Sequence, residues 1–252
     1  MADEKIMELC KKMRLSSNFA DMASKITAKT HMEYLEKLMA QEVEYRELAR
    51  TERLIKTAGF YNRKTLDGYN FDEIDFPKDV SIESILSFEF MKTTTNIVMY
   101  GGTGTGKTHL STAIGVAACK NGAKVKFFRT AALVNSLSEA KKNGMLSSVT
   151  KKIDQADILI LDEWGYVPFD KTGARLLFEI ISECYEKKSI ILNTNLEFSR
   201  WANILYDEQM TAALLDRLLH HCHLLIFPGS SVRLRESSIN ELYKRTESQD
   251  LS

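Results

Sequence analysis

Proline, glycine and cysteine are all scarce in this chain of 252 residues. Only three prolines and twelve glycines are present, which argues against a loop-rich chain or a solenoid. The four cysteines are scattered and form no CxxC pair, so the sequence has neither zinc-finger spacing nor a disulfide framework. This pattern fits a protein of a reducing cytosol. The cysteines are Cys10, Cys119, Cys184 and Cys222.

Net charge is also absent, because 34 Lys and Arg residues balance 34 Asp and Glu residues. The balance excludes the uniformly basic composition of a histone, although a local basic stripe can still bind nucleic acid. No segment approaches the ~20 apolar residues of a membrane span. The amino terminus, MADEKIMELCKK, mixes both charges where a signal peptide would be apolar. With 44% apolar residues, the chain is predicted to be a globular, cytoplasmic protein without a membrane partner.

Residues 1–68 are predicted to form a small, all-helical N-terminal domain. From Thr30 to Ile55, apolar side chains recur largely at three- and four-residue steps, and charged side chains fill most of the gaps. Such a segment either packs on its own domain or presents a surface to a partner, and the sequence leaves both open. Residues 69–92 break the helical period and are predicted to be a linker, with residues 93–252 forming the second domain.

The second domain alternates short apolar strands with helices. This alternation predicts an α/β fold whose parallel sheet is covered by helices on both faces. The five predicted strands are Asn96–Tyr100, Lys124–Arg129, Ile158–Leu161, Ile190–Leu192 and a last one near His223–Phe227.

A glycine-rich motif, GGTGTGKT, follows the first of these strands and precedes a predicted helix. It matches G-x-x-x-x-G-K-[ST], whose glycines let backbone N–H groups point at phosphate oxygens, in the strand–helix context that the motif requires. The lysine is expected to reach the β- and γ-phosphates of ATP, and the threonine to bind Mg²⁺. The predicted nucleotide-binding residues are Gly102, Thr103, Gly104, Thr105, Gly106, Lys107, Thr108 and His109.

An acidic pair follows the third strand, in DILILDE. Asp162 is suited to orient Mg²⁺ through water, and Glu163 to polarise an attacking water molecule. A hydrolase needs such a base, whereas a small-molecule kinase does not. The alternative is an acidic strand end that faces solvent.

Two further polar features are ambiguous from the residues alone. The amides of Asn193 and Asn195 follow the fourth strand, where one could hold the attacking water, but asparagine-rich turns are common. Arg217 lies beside Asp216 on a helical stretch and is by itself more typical of a surface salt bridge.

Four longer stretches together resemble one family. They are EVEYRELARTERLIKTAGF, GGTGTGKTHL, LDEWGYVPFDKTGARLLFEIISECYE and ALLDRLLHHCHLLIFPGSSVRLRES. The resemblance extends over nearly the whole chain and is to the IstB-like family, the ATPases that insertion sequences encode as helpers of a transposase. This family belongs to the AAA+ superfamily and is close to the DnaC-type helicase loaders.

The resemblance implies an AAA+ P-loop NTPase domain with a five-stranded parallel sheet and no C-terminal lid. It assigns Asn195 as the sensor amide, Arg217 as an arginine finger that reaches a neighbouring subunit's nucleotide, and Arg233 as a residue near the nucleotide. Three departures matter, since NTN replaces the family's usual TSN, SVR replaces SYR, and Cys184 stands where an arginine is common. The first leaves the sensor open between Asn193 and Asn195, and the second puts the role of Arg233 in doubt.

The function so implied is an ATPase that binds ATP and Mg²⁺, assembles with copies of itself on DNA and assists a transposase. The nearest alternative is a replicative helicase loader. A nucleotide-gated binding module with negligible hydrolysis and a P-loop small-molecule kinase are two further alternatives.

Two clusters of side chains give weaker indications of function. The lysines Lys141, Lys142, Lys151 and Lys152 flank two short helices where initiator and loader relatives contact DNA, although ordinary solvated lysines explain them equally well. His220, His221, Cys222 and His223 are not expected to form a metal site, because adjacent side chains on a helix point apart and no carboxylate lies at ligand spacing nearby.

Overall fold

The computed structural model describes residues 2–166 and 169–232, with side chains from residue 4 onward. The chain divides into two compact units, Met1–Leu54 and Ile55–Ser252. Arg233 lies outside the described residues, as does the segment in which a lid would follow the sheet, so those two expectations stay predictions. Among the described residues, no helix combines the length and the apolar character needed to cross a membrane.

The first unit is built from three helices, α1 (Ala2–Lys12), α2 (Phe19–Lys25) and α3 (His31–Ala58), the last of which continues into the second unit. A buried carboxylate, Glu42, organises it by accepting hydrogen bonds from Ser16 N (2.8 Å), Ser16 Oγ (2.5 Å) and Arg46 Nε (2.7 Å). Burial opposes ionisation, but these hydrogen bonds outweigh it and lower the pKa of Glu42. The two hydrogen bonds from Ser16 therefore fix the turn between α1 and α2 to α3.

The apolar positions of α3 that the sequence singled out are mostly exposed. Leu38 is buried, whereas five others lie on the surface, namely Met32, Leu35, Met39, Val43 and Leu48. Helical structure ends at Ala58, before the predicted end at Gly68, and Gly59 follows with a left-handed φ of 87°.

The segment predicted as a linker is folded into the second unit. It contains two short helices, α4 (Ile82–Leu86) and α5 (Glu89–Lys92). Asp75 also exchanges two backbone hydrogen bonds with Ile226, at 2.9 and 3.1 Å, in an isolated antiparallel bridge. Asp75 thus lies against the strand Cys222–Phe227, which is an edge strand of the sheet.

The sheet has five parallel strands in the order β2-β3-β4-β1-β5. The strands are β1 (Asn96–Gly101), β2 (Val125–Arg129), β3 (Ile158–Trp164), β4 (Ser189–Thr194) and β5 (Cys222–Phe227). The helices between them are α6 (Lys107–Lys120), α7 (Thr130–Lys142), α8 (Leu146–Asp154), α9 (Lys171–Cys184), α10 (Ala202–Leu205) and α11 (Glu208–Leu219), with a 3₁₀ turn at Phe198–Arg200. All five predicted strands are confirmed, with each observed strand starting or ending within a few residues of its prediction.

The core lies on both faces of this sheet. Leu159 and Leu161 belong to an apolar cluster that includes Leu133 of α7 and Leu177 of α9. Between them in sequence, Ile160 faces the other side, where α6 packs so closely that a Cβ atom on Gly115 would lie 2.8 Å from it. The near-continuous apolar strands reflect this burial on both faces.

Candidate functional site

The glycine-rich motif forms the loop that joins β1 to α6. Two of its glycines, Gly104 and Gly106, have left-handed φ angles of 82° and 99°. A Cβ on Gly106 would lie 2.6 Å from the hydroxyl of Tyr69. The motif therefore needs glycine at Gly106 for conformation and for space.

Lys107 is the first residue of α6, and its ammonium group is buried within the loop. Its Nζ donates hydrogen bonds to the carbonyls of Gly101 (2.7 Å) and Gly102 (2.5 Å) and to Thr105 Oγ1 (3.3 Å). Only 9% of the residue is exposed. A buried positive charge at the amino end of a helix is a binding site for phosphate oxygens.

Thr108, Asp162 and Asn193 form a hydrogen-bonded network next to the loop. Thr108 Oγ1 donates to Asp162 Oδ1 at 3.0 Å, and Asn193 Nδ2 donates to the same oxygen at 2.8 Å and to Ser111 Oγ at 2.7 Å. Asp162 is only 3% exposed, and Thr130 Oγ1 donates to its backbone carbonyl at 2.8 Å. A hydroxyl and a carboxylate that meet beside a phosphate loop supply oxygen donors of the kind that Mg²⁺ prefers.

Glu163 faces away from this network although it is the next residue. The β3–β4 register shifts between Leu161 and Trp164, and Glu163 has a left-handed φ of 56°. Its side chain is 44% exposed, and its carboxylate lies 3.4 Å from Arg129 Nε, while the Arg129 guanidinium stacks on Tyr61 at 4.2 Å from the ring centre. The left-handed backbone conformation at Glu163 thus directs its side chain toward solvent, whereas the side chain of the preceding residue, Asp162, is buried.

A cavity of about 820 Å³ connects these groups. Its lining includes the phosphate loop, Asp162 and Glu163, together with the aromatic residues Tyr61, Tyr69 and Phe127. This volume lies within the range of sites that hold small ligands. A separate cavity of about 670 Å³ lies at the other edge of the sheet, near Lys187, with none of the loop residues in its wall.

Residues before the sheet complete the cavity, and sequence reasoning missed them. Tyr69 Oη donates to Gly106 O at 3.2 Å, and its ring packs edge-on against His109 at 4.9 Å. His109 Nε2 lies 2.8 Å from Thr65 O, which can only accept, so this nitrogen carries the proton. Burial, together with the charge of Glu73, raises the pKa of Tyr69 to about 12. The aromatic residues Tyr69 and Phe71 are visible in the sequence, but they fall at the start of the predicted linker and so give no sign of a site.

The two candidate sensor amides occupy different environments. Asn193 is buried and bonded to Asp162, as described above. Asn195 is exposed and lies one residue beyond the end of β4, at the edge where the phosphate loop begins. Asn193 therefore positions the buried acid, and a sensor role for Asn195 stays a prediction.

Arg217 lies in the last turn of α11 and packs on its own unit. Its Nη1 donates to Ala213 O at 3.0 Å, and its guanidinium lies 5.3 Å from the ring centre of Phe178. The next carbonyl, that of Leu218, accepts a 3.0 Å hydrogen bond from Asn96 Nδ2 at the amino end of β1. Arg217 thus lies near the amino ends of the strands, whereas the phosphate loop lies at their carboxyl ends.

The four lysines proposed as DNA contacts are all exposed, with Lys141 and Lys142 in the last turn of α7 and Lys151 and Lys152 in the last turn of α8. The N–H of Gly173 lowers the pKa of Asp170 most strongly and burial opposes it, while hydrogen bonds from Ser138 and the Thr172 N–H and then the nearby charge of Lys142 lower it further. Lys152 lies near Lys126 in β2 and, after burial, contributes to the lowered pKa of that lysine. The four lysines therefore lie on two different helices, α7 and α8.

The histidine-rich segment differs from expectation. Glu186, from the turn before β4, brings a carboxylate to His220 and His221, and the ligand atoms of the three all lie within 4.8 Å of one another. Cys222 and His223 do not belong to this group. Burial raises the pKa of the Cys222 thiol to about 12, so it stays protonated.

The strand order and the loop, acid pair and amide at the carboxyl ends of the strands define a P-loop NTPase domain of the AAA+ type, the predicted fold. The chain belongs to the IstB-like ATP-binding protein family, whose model matches residues 8–240. The insertion sequence IS232 ATP-binding protein of Bacillus thuringiensis subsp. berliner is 36% identical over 208 residues, covering 81% of this chain and 82% of that one. The insertion sequence IS5376 ATP-binding protein of Geobacillus stearothermophilus is 34% identical over 245 residues, covering 94% and 97%.

Solved structures of replication proteins share the fold. AMPPCP-bound DnaA from Aquifex aeolicus has a TM-score of 0.56 at 22% identity, covering 71% of this chain and 57% of that one. The DnaC helicase loader has a TM-score of 0.54 at 23% identity, covering 65% of this chain and 96% of the loader.

Proposed function

We propose that this chain is an ATPase that assembles with copies of itself on DNA and assists the transposase of an insertion sequence. The observation that supports the hydrolysis step is that two adjacent acids, Asp162 and Glu163, lie in different environments. Asp162 is buried and bonded to Thr108 and Asn193, whereas Glu163 reaches the cavity. A group that binds the phosphates and a separate base for water are the two requirements of a P-loop hydrolase.

The residues of the site have distinct roles in this proposal. Lys107 and the loop N–H groups bind the β- and γ-phosphates of ATP, and Thr108 with Asp162 holds Mg²⁺. When bound, Mg²⁺ supplies charge neutralisation at the phosphate oxygens. Glu163 orients and polarises the attacking water, for which it must move off Arg129. Asn195 lies at the same edge of the sheet, where an exposed amide can hold that water.

Hydrolysis is tested with Glu163→Gln, which keeps the shape of the side chain and removes the base. The expected result is loss of phosphate release of about 100-fold or more, with ATP binding retained and the assembly trapped on DNA. Glu179→Gln, an exposed position on α9, serves as the matched control. Wild-type turnover in Glu163→Gln would remove this residue from the mechanism, whereas negligible turnover in the wild type itself would favour a nucleotide-gated binding module.

Assembly rests on the position of Arg217. Since it lies at the edge opposite to its own phosphate loop, its guanidinium is suited to reach a nucleotide only in a neighbouring subunit. Arg217→Ala and Glu163→Gln subunits should each be inactive alone and should regain hydrolysis when mixed, because the mixture pairs an intact base with an intact arginine. Arg175→Ala, an exposed arginine on α9, should keep wild-type turnover. A mixture that stays inactive would contradict action across a boundary.

DNA binding is proposed through Lys141, Lys142, Lys151 and Lys152, which would hold phosphates without reading sequence. A DnaA structure of this fold with AMPPCP and single-stranded DNA, at a TM-score of 0.52, supports testing single strands first. Each lysine that contacts a phosphate should reduce the slope of log affinity against log salt by about 0.7–0.9 when changed to alanine. Lys120→Ala, at the exposed end of α6, should leave the slope unchanged.

The client is proposed from the relatives, which are named as ATP-binding proteins of insertion sequences. A transposase encoded beside this gene should bind the ATP-loaded protein and act faster in its presence. This interaction is expected to take place in the cytoplasm. The fold shared with the DnaC loader supports a replicative helicase as the second candidate. Binding assays with both purified candidates separate the two, since only the true client should change ATP turnover.

A further inference from the structure

Three side chains with metal-binding chemistry converge at the edge of the sheet opposite to the phosphate loop. Glu186 comes from the turn between α9 and β4, and His220 and His221 come from the turn between α11 and β5. One carboxylate oxygen and one nitrogen from each imidazole all lie within 4.8 Å of one another. These turns are 34 or more positions apart in sequence, which is why the sequence pattern around the histidines gave no sign of a carboxylate.

The backbone on both sides of the cluster is anchored to the same residue. Asn96 N donates to His221 O at 2.8 Å, and Asn96 Oδ1 accepts from Ile190 N, near the start of β4, at 2.9 Å. Glu186 has a left-handed φ of 55°, which sets the direction of its side chain. The sheet therefore fixes the backbone positions of the two turns from which the three side chains converge.

A tyrosine orients one of the imidazoles. Tyr185 Oη lies 3.0 Å from His220 Nδ1, and the rings of His220 and His221 are in contact, with centres 4.1 Å apart. A histidine held by a hydrogen bond at one ring nitrogen is the usual arrangement for binding a metal through the other. Tyr185 thus supplies the supporting contact that a metal-binding histidine requires.

We propose that Glu186, His220 and His221 bind a divalent metal ion of the zinc class, with water in the remaining position. Two imidazoles and one carboxylate suit Zn²⁺, Co²⁺ or Ni²⁺, whereas Mg²⁺ prefers oxygen ligands only. A tetrahedral ion with bonds of about 2.1 Å separates its ligand atoms by about 3.4 Å. All three side chains are exposed, so changes of rotamer can close the remaining gap.

The ion would add a direct link between two turns that Asn96 and the Tyr185–His220 hydrogen bond already connect. His220 follows Arg217 by one helical turn, and its N–H donates to Asp216 O at 3.0 Å. An ion on His220 and His221 therefore fixes the end of α11 that carries Arg217 to the turn that carries Glu186. The binding itself does not depend on the proposed ATPase function and can be measured without nucleotide.

The test is a titration of the untagged, metal-free full chain with Co²⁺, followed by displacement with Zn²⁺. We expect one equivalent of Co²⁺ with visible d–d absorption and no sulfur-to-metal charge-transfer band. Glu186→Gln and His221→Asn should each weaken binding about tenfold or more, and Tyr185→Phe about tenfold. Circular dichroism confirms that each variant is folded, and exposed positions make that the expected result.

Two matched variants complete the experiment. His223→Asn and Cys222→Ser change neighbouring residues outside the cluster and should bind Co²⁺ as the wild type does. Weak binding of several ions that is identical in all variants would overturn the proposal and indicate adventitious surface binding. Loss of the site in Cys222→Ser, or a charge-transfer band from sulfur, would also overturn it and assign a different ligand set.

Discussion

Replacement of Asn193 by alanine tests whether this amide supports the buried acid of the nucleotide site. The side chain donates to Asp162 Oδ1 at 2.8 Å and to Ser111 Oγ at 2.7 Å, and only 2% of the residue is exposed. A hydrogen bond to a charged group contributes about 1.5–3 kcal/mol and one between neutral groups about 0.5–1.5 kcal/mol. Asn193→Ala should therefore lower the free energy of unfolding by about 2–4 kcal/mol.

The assay is thermal unfolding followed by circular dichroism, with Asn195→Ala as the matched control two positions along the chain. A loss of about 3 kcal/mol lowers the Tm of the second unit by roughly 6–12 °C. Asn195 is exposed, so its replacement should change stability by less than about 0.5 kcal/mol while it affects ATP turnover. Equal stability losses in the two variants, or none in Asn193→Ala, would refute the reasoning. A double-mutant cycle with Ser111→Ala should show coupling of about 0.5–3 kcal/mol.

Three further predictions concern the same cavity. Arg129→Ala should raise ATP turnover without DNA up to about fivefold, since a half-exposed ion pair with Glu163 is worth at most about 1 kcal/mol; a loss as deep as that of Glu163→Gln would contradict this. Gly106→Ala should abolish binding of a fluorescent ATP analogue through strain and contact with Tyr69, whereas Gly144→Ala, with a φ of 68° and open space around it, should retain binding. Because the pKa of Tyr69 is raised from 10.0 to about 12, the native state keeps a proton that the unfolded state loses, so its contribution to stability is present below pH 10 and is lost as pH rises through 12. Urea unfolding at several pH values across that range should show a smaller loss of unfolding free energy in Tyr69→Phe than in the wild type. The same dependence of the unfolding free energy on pH in both proteins would count against the assignment.

The fold was largely predictable because its signals are local. Apolar runs such as Ile158–Leu161 require burial on both faces, and a glycine-rich turn between strand and helix has few structural solutions. The position of residues 69–92 was not predictable in this way. Their irregular texture indicated a linker, whereas Asp75 pairs with Ile226 at the edge of the sheet, a contact between residues far apart in sequence.

The site was predictable only where one motif contains it. The loop and the pair Asp162–Glu163 are contiguous signals. Arg129 was missed because its contact with Glu163 depends on the alignment of β2 with β3, in which Arg129 lies opposite Asp162. Glu186 was missed for the same reason, since its proximity to His221 arises from strand order. The order of strands in the sheet brings such residues together, and a linear pattern does not record that order.

Asn96 has a mechanical consequence for the strand that carries the phosphate loop. Its side chain accepts from Ile190 N on one side and donates to Leu218 O on the other, at 2.9 and 3.0 Å, so β1 is fastened at its start to both flanking segments. A one-residue slip of β1 would break both bonds and turn its apolar side chains to the opposite face. Axial sliding of β1 is thereby blocked. We therefore expect a displacement of the phosphate loop during nucleotide exchange to arise beyond Gly101, in the loop and α6, while β1 keeps its position in the sheet.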